Sequence, residues 1–484
     1  FLARLVASGL LARTEGEEGE SYAFKHALLA DAAYETLLRS RRRELHERLV
    51  RALEGSFAGI CADCPELLAH HCAMAGLPRA AVDYRCRAGE RAAQRFANAE
   101  AIGHYRHALD LLAELPPDPE RDRVELTIRM AMGAPLMAAR GYSAAELHQS
   151  YDRAHELCLA LDTAPALFPI LFGLSLYYLV RSELQAARPL VARCVVAARA
   201  AGDDDLLLES CCLAGPAHVY SGRFAAARRV LDRGLAIYRP ELHRDHAVRF
   251  GQDPMLALGF IARVEAMLGR PDRARRHGQA LRAWLRDLPA QPNSVAILHA
   301  QLAHAHLLAR EPAAALDHAE SMVAVSSRHG LPLWLGLARM YRGAALVQAG
   351  LGVGDSAAIG RGLADGAEGL AIYRATGALL DVPTCLCWLA AGSLRLGDLA
   401  AAARQLAEAR DVIAATGQTY FAAEIERLGG ELRLAGPDPD LAAARGQFEA
   451  AMATARRQGA RLLELRAATR LAGVAPGPTG AARL

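Results

Sequence analysis

Between residues 222 and 239 the chain reads GRFAAARRVLDRGLAIYR, a turn glycine followed by Phe224, Ala227, Leu231, Leu235 and Tyr238 at spacings of 3, 4, 4 and 3. That rhythm places one apolar stripe on one face of a helix entered through a tight turn. The same design recurs in GRPDRARRHGQALRAWL from Gly269, GDLAAAARQLAEARDVI from Gly397 and LQAARPLVARCVVAARAAG from Leu184. In each a small residue follows the turn and an amphipathic helix continues from it.

The small position can be followed along the chain at Ala101, Glu146 (beside Ala145), Ala187, Ala227, Ala274, Ala315, Gly362, Ala402 and Ala444, with gaps of 45, 41, 40, 47, 41, 47, 40 and 42 residues. Two helices of about 15 residues and two short turns fill such a unit, which predicts stacked helical hairpins. Small residues recur where two helix backbones approach most closely. Breaks at 116–122, 289–293, 351–362 and 436–440 read as turns and loops between helices.

Composition agrees. A chain of 484 residues exceeds one compact core, and a hydrophobic content of 52% with only 6% aromatics leaves Ala-rich helix faces to fill the interior. The 56 basic and 53 acidic residues give +3, too balanced to predict a nucleic-acid or membrane surface. Lys25 is the sole lysine, an Arg bias expected of a GC-rich bacterial genome. The 10 cysteines are scattered through helical patterns, as in a reducing cytoplasm. The longest apolar run, 166–180, contains Pro169 and is too short to span a bilayer. No signal peptide is visible, and the start at Phe1 leads us to expect a piece of a longer protein.

The first 55 residues differ from the rest. FLARLVASGLL predicts a short helix stopped by Gly9, LLART and YAFKH predict two strands around EGEEGES, and a helix resumes at Ala27. The run RSRRRELHER at 39–48 interleaves Arg41, Arg42, Arg43 and Arg48 with Glu44 and Glu47, which reads as a solvated helix face with pairs such as Glu44 to Arg48. Phosphate binding would need a basic surface without such compensation.

Two resemblances enter on these residues. The turn glycine with Ala five positions on, Gly222 with Ala227 and Gly397 with Ala402, resembles the tetratricopeptide repeat, although these units are longer than its ~34 residues. The pattern Phe24, His26, Leu28-Leu29, Tyr34, Arg43, Leu45-His46, followed by PELLAHHCAMAG at 65–76 and NAEAIGHYRHALDLL at 98–112, resembles the winged-helix and repeat region of bacterial STAND-class proteins, the signal-transduction ATPases with numerous domains. The resemblance implies an all-α fold: a winged-helix remnant with a short β-hairpin over 1–55, a tetratricopeptide-like α-solenoid of antiparallel hairpins over 56–475, and a disordered tail over 476–484. In that class a Met-His-Asp motif reads the β-phosphate of the nucleotide. Lys25-His26-Ala27 occupies its place, so the resemblance offers His26 and Lys25 as nucleotide-sensing residues, against a structural histidine closing the wing onto the next helix.

Enzymatic motifs are missing. The sequence has no GxxxxGK[ST], GxSxG or HExxH, which predicts a chain that does not hydrolyse ATP alone and holds no cofactor of its own. Cys61, Cys64, His71 and Cys72 have spacing that can hold zinc, although the resemblance accounts for His71 as a structural residue of the apolar helix PELLAHH and Cys61 and Cys64 lie in a short turn. Cys211, Cys212, Cys385 and Cys387 read as small core residues. The histidines 299, 304 and 306 read as core or groove residues with no carboxylate within a turn of either 299 or 306. Tyr178, Trp284, Trp334, Tyr341 and Trp388 lie on helices and are candidates to line a groove, against the alternative that each is a core residue.

The expectation is a cytoplasmic, non-catalytic regulatory region. Its groove would bind a protein or small ligand and control an upstream domain carrying ATP or ADP and an effector, by analogy a class III adenylate or guanylate cyclase. A plain protein-interaction scaffold, or a transcriptional regulator of the ATPase-LuxR type, are the alternatives. Neither membrane nor direct nucleic-acid binding is expected.

Overall fold

The computed structural model describes residues 2–16, 19–243, 246, 250, 253–287 and 292–474, so the tail expected at 476–484 lies outside the described residues. The chain divides into two compact units, one of Phe1–Ala92 with Glu100–Arg121 and the other of Ala93–Ala99 with Asp122–Leu484.

The first unit opens with helix α1 (Leu2–Ala7), which ends at Gly9 with φ +78°, and continues into β1 (Leu11–Gly16) and β2 (Gly19–Phe24). The strands pair antiparallel with Leu11 opposite Phe24 and Thr14 opposite Ser21, forming the single sheet among the described residues. Helices α2 (Ala27–Glu35) and α3 (Arg39–Ser56) follow. The helix, hairpin, helix order is as expected.

The arginine run of α3 is largely consumed internally. Arg42 donates to the carbonyls of Leu37 (2.9 Å) and Glu35 (2.8 Å) and lies 4.6 Å over the Tyr34 ring. Arg43 donates to the Ala75 carbonyl at 2.7 Å and the Gly76 carbonyl at 3.2 Å, closing the end of the helix Pro65–Met74. Gly76 has φ +71°, and a Cβ there would fall 2.4 Å from Arg43 Nη2, so the contact requires glycine. Glu44 pairs with Arg41 at 2.6 Å rather than with the expected Arg48, and Glu47 pairs with Arg51.

Along the chain, at least seven of the turns that lead into a helix carry a left-handed residue. Phe96, Ser182, Gly222, Gly269, Arg310, Gly354 and Gly397 have φ between 58° and 78°. Five residues after each stand Ala101, Ala187, Ala227, Ala274, Ala315, Ile359 and Ala402, all at most 1% exposed except the half-buried Ala274. Three of the seven turn residues are not glycine, which is why a search for glycine alone undercounts the turns.

Two expected small positions shift. The turn at Gly354 puts Ile359, not Gly362, five residues on, and beside the half-buried Glu146 it is Leu147 that is fully buried. Gly362 instead serves a close helix crossing. A Cβ on it would meet the Gly343 carbonyl oxygen at 2.6 Å, and a Cβ on Gly343 would meet the Gly362 carbonyl oxygen at 2.5 Å.

Distant hairpins of this unit also touch. Leu379 N–H donates to the Val180 carbonyl (3.0 Å), Thr419 N–H to Tyr220 (2.8 Å), Ser143 Oγ to Thr376 (2.7 Å) and Arg466 Nη2 to Leu308 (2.9 Å). Hairpins near residues 143–308 therefore pack against hairpins near 376–466. The fold is an all-α, tetratricopeptide-like solenoid of antiparallel hairpins, with a two-stranded hairpin at the N-terminal end. No described helix is long and apolar enough to cross a membrane.

Candidate functional site

The contacts between distant hairpins converge on one buried ion pair. Arg263, in the helix Phe260–Met267, is 2% exposed, and Asp381, the N-cap of the helix Val382–Arg395, is 3% exposed. Their closest atoms, Arg263 Nη1 and Asp381 Oδ1, stand 4.0 Å apart. Two phenols bridge them. Tyr220 and Tyr341 donate to Asp381 Oδ2 at 3.1 and 3.0 Å and accept from Arg263 Nη1 at 3.5 Å and Nη2 at 3.3 Å. The guanidinium lies 4.7 Å over the Phe260 ring.

The bonding fixes the state of His304. The Tyr341 proton is committed to Asp381, so His304 Nδ1, 3.1 Å away, carries hydrogen and donates to the phenol oxygen. Nε2 then accepts from Tyr420 at 2.9 Å. Burial, reinforced by Arg263, holds His304 well below the ordinary imidazole value and keeps it neutral. Burial pushes the Asp381 carboxyl up, while Arg263 and the two phenols oppose that rise. Removing one partner of such a buried pair costs ~3–5 kcal/mol because the other charge is stranded.

Beside the pair lies a cavity of ≈ 90 Å³ lined by Leu176, Leu179, Ile297, Leu333 and Trp334, with Arg263 and Asp381 at its polar side. A second, basic pocket of ≈ 570 Å³ is lined by Arg275, Arg282, Arg461 and His306. There Arg282 donates to His306 Nε2 at 2.9 Å and His306 Nδ1 to Glu311 at 2.6 Å, so a carboxylate five residues away does orient His306.

The groove candidates take several environments. Trp334 lines the cavity and donates to Asn293 at 2.5 Å. Tyr341 is fully buried in the network, and Trp388, 8% exposed, packs on His304, Tyr341 and Phe421. For these two the burial matches the core alternative, because contacts between distant hairpins surround them with aromatic side chains. Trp284 is half-buried against Leu281 and Ile297, and Tyr178, half-buried, has its hydroxyl 3.0 Å from His148 Nε2.

In the first unit, residues from separate motifs meet. The Tyr34 hydroxyl is 2.9 Å from His46 Nε2, and His46 Nδ1 is 3.0 Å from His71 Nδ1 with the rings stacked 5.0 Å apart. Burial lowers both imidazoles. Cys61 and Cys72 sit in one buried cluster with Val50, Leu53 and Leu68, while Cys64 is the N-cap of the helix Pro65–Met74. Lys25 and His26 are exposed at the end of the hairpin, and His26 occupies the N-cap of α2 without a side-chain capping bond. Cys211, Cys212, Cys385 and Cys387 are all buried.

Among the described residues, three potential metal ligands converge at Asp205, His243 and His246 rather than at the cysteines. The donor set does not suit a metal. His243 Nδ1 accepts the Arg239 backbone N–H at 2.8 Å, so Nε2 carries the proton and donates to Asp205 at 3.2 Å. That nitrogen has no lone pair to offer. His246 is held at Nδ1 by Glu209, 2.6 Å away. Residues from two segments had to meet here, and nothing in their spacing announced it.

With that geometry in place, the comparisons with known proteins bear on the fold. No family model matches the chain. The sequence is 26% identical over 472 residues to an uncharacterized protein of Rhizobium meliloti (strain 1021), covering 96% of this chain and 44% of that protein. The chain thus spans less than half the length of that relative. Among solved structures it is similar to a Rap protein complexed with competence and sporulation factor, at a TM-score of 0.50 and 11% identity over 83% of this chain and 99% of that one. A STAND protein with a tetratricopeptide repeat sensor from Pyrococcus horikoshii gives a TM-score of 0.41 and 13% identity over 94% of this chain and 62% of that one. At such identities the Rap likeness establishes the helical-repeat fold and nothing finer.

Proposed function

We propose that this chain is the non-catalytic regulatory region of a longer multidomain signalling protein. Its helical repeats bind a protein or small ligand and bias an upstream nucleotide-binding switch that carries ATP or ADP, with a class III nucleotide cyclase as effector. The first unit is then the winged-helix latch, and the exposed His26 and Lys25 face the nucleotide.

One observation carries the reading. Tyr220, Arg263, His304, Tyr341, Asp381 and Tyr420 come from six separate helices or turns and share one hydrogen-bonded centre. A change at that centre reaches hairpins far apart in the chain together, as an element with two arrangements requires. The longer relative supports the reading too, since more than half of it lies outside the match.

The test uses the full-length protein. Bound ATP and ADP and cyclase output are measured for wild type and His26→Ala. The proposal expects His26→Ala to change the ratio of bound nucleotides and the output by about tenfold or more, the loss of one charge-assisted contact. An unchanged ratio and output would make the chain a scaffold without nucleotide switching.

A further inference from the structure

The cavity beside the buried pair has a chemistry of its own. Arg263 Nε and Asp381 Oδ1 are buried without a hydrogen-bond partner, and both residues line the cavity. Every other polar atom of the pair is used: Nη1 and Nη2 by the two phenols, and Oδ2 by both. An unmade bond on a buried charged group leaves its desolvation uncompensated. The pair is therefore poised for one group that accepts from Nε–H and donates to Oδ1.

Size and polarity narrow the guest. The remaining wall is mostly Leu, Ile and aromatic carbon, and ≈ 90 Å³ against the ~150 Å³ of a cavity that takes benzene sets a guest no larger than benzene. Water filling such a space at ~30 Å³ each would need two to four polar partners per molecule. The unpartnered atoms of the pair supply two, enough for a single water, and the rest of the wall adds few polar atoms, on Gln301, Tyr142, Tyr220 and Tyr373, for the others that would fill the space. A charged guest is disfavoured as well, because Arg263 and Asp381 already cancel and an added charge would stay buried without a counterion.

We propose that this cavity binds a small neutral organic molecule of about four to six heavy atoms, an apolar body ending in a hydroxyl or primary amide held between Arg263 Nε and Asp381 Oδ1. This deepens the regulatory reading and rests on it for its biological role, since the guest would complete the centre that joins the distant hairpins. Binding itself does not depend on an upstream domain.

The experiment titrates this chain with isobutyramide, isobutanol and isobutyrate, following Trp334 fluorescence and the unfolding temperature. Ala300, 1% exposed on the cavity wall, is changed to Leu to fill the space without touching the pair. The expected result is saturable binding of the amide and the alcohol, about tenfold or more tighter than isobutyrate, and lost in Ala300→Leu with the fold intact by circular dichroism. Asp381→Asn removes the negative charge and is expected to reverse the order, favouring isobutyrate. No saturable binding of either neutral probe to wild type, equal binding by a folded Ala300→Leu protein, or preference of wild type for isobutyrate would each overturn the proposal. Should Ala300→Leu fail to fold, the wild-type order of the three probes still decides. Failure here leaves the His26 nucleotide test standing, whereas binding without any effect on full-length output would sink the regulatory reading alone.

Discussion

The Tyr420 hydroxyl lies 2.9 Å from His304 Nε2, across 116 residues of sequence. His304 is completely buried, so this phenol is what satisfies its second ring nitrogen. Tyr420→Phe leaves that nitrogen without a donor and is expected to lower stability by ~1–3 kcal/mol. Urea unfolding of the two proteins measures it, and a midpoint unchanged by the substitution would mean that the contact contributes nothing.

Ser182 has φ +63° and a buried hydroxyl without a partner. A left-handed L-residue costs ~1–2 kcal/mol, against ~0.5–1 kcal/mol for the extra backbone entropy of glycine. Ser182→Gly should therefore stabilise by about 1 kcal/mol. A fall in the urea midpoint would contradict the turn geometry given for this repeat.

Two glycines of neighbouring helices give opposite expectations. A Cβ on Gly343 would sit 2.5 Å from the Gly362 carbonyl oxygen, whereas one on Gly360 meets nothing within 4 Å. Gly343→Ala should destabilise by ~1–3 kcal/mol through overpacking. Gly360→Ala should stabilise by ~0.5–1 kcal/mol through helix propensity. Thermal unfolding of both variants in parallel checks the pair, and a Gly343→Ala protein as stable as wild type would rule out the close crossing.

Glu424 is buried beside Arg427 at 2.7 Å and Arg466 at 3.6 Å. Burial alone would raise its carboxyl, but the two arginines outweigh it and hold the group at about 2, below its ordinary value of 4.5. A folded value below the unfolded one means stability present above pH 4.5 and lost as pH falls toward 2. The linked contribution is on the order of 3 kcal/mol. In Glu424→Gln that acid-dependent loss should flatten, with lower stability at neutral pH because Arg466 loses its carboxylate partner and Arg427 keeps only Glu431. Urea midpoints from pH 7 to 2 test it, and parallel curves for the two proteins would reject the assignment.

The helical rhythm of 222–239 and its relatives was legible because an amphipathic stripe and a small residue after a turn are local properties. Phe96, Ser182 and Arg310 hid their turns, since their left-handed backbone is imposed by packing and leaves no glycine to read. The arginine run of α3 looked like a solvated face, yet Arg43 reaches the carbonyls of Ala75 and Gly76, contacts that only folding reveals.

By itself the sequence determined that the chain is an array of helical hairpins behind a short β-hairpin, because 3.6-residue periodicity, turn residues and apolar spacing act over a few residues at a time. Which side chains meet at the centre was decided by the tertiary structure alone. Arg263 and Asp381 stand in different hairpins, and neither carries a local pattern that names the other. Only the packing of distant hairpins removes water from both charges, and that removal is what makes their unfilled bonds matter.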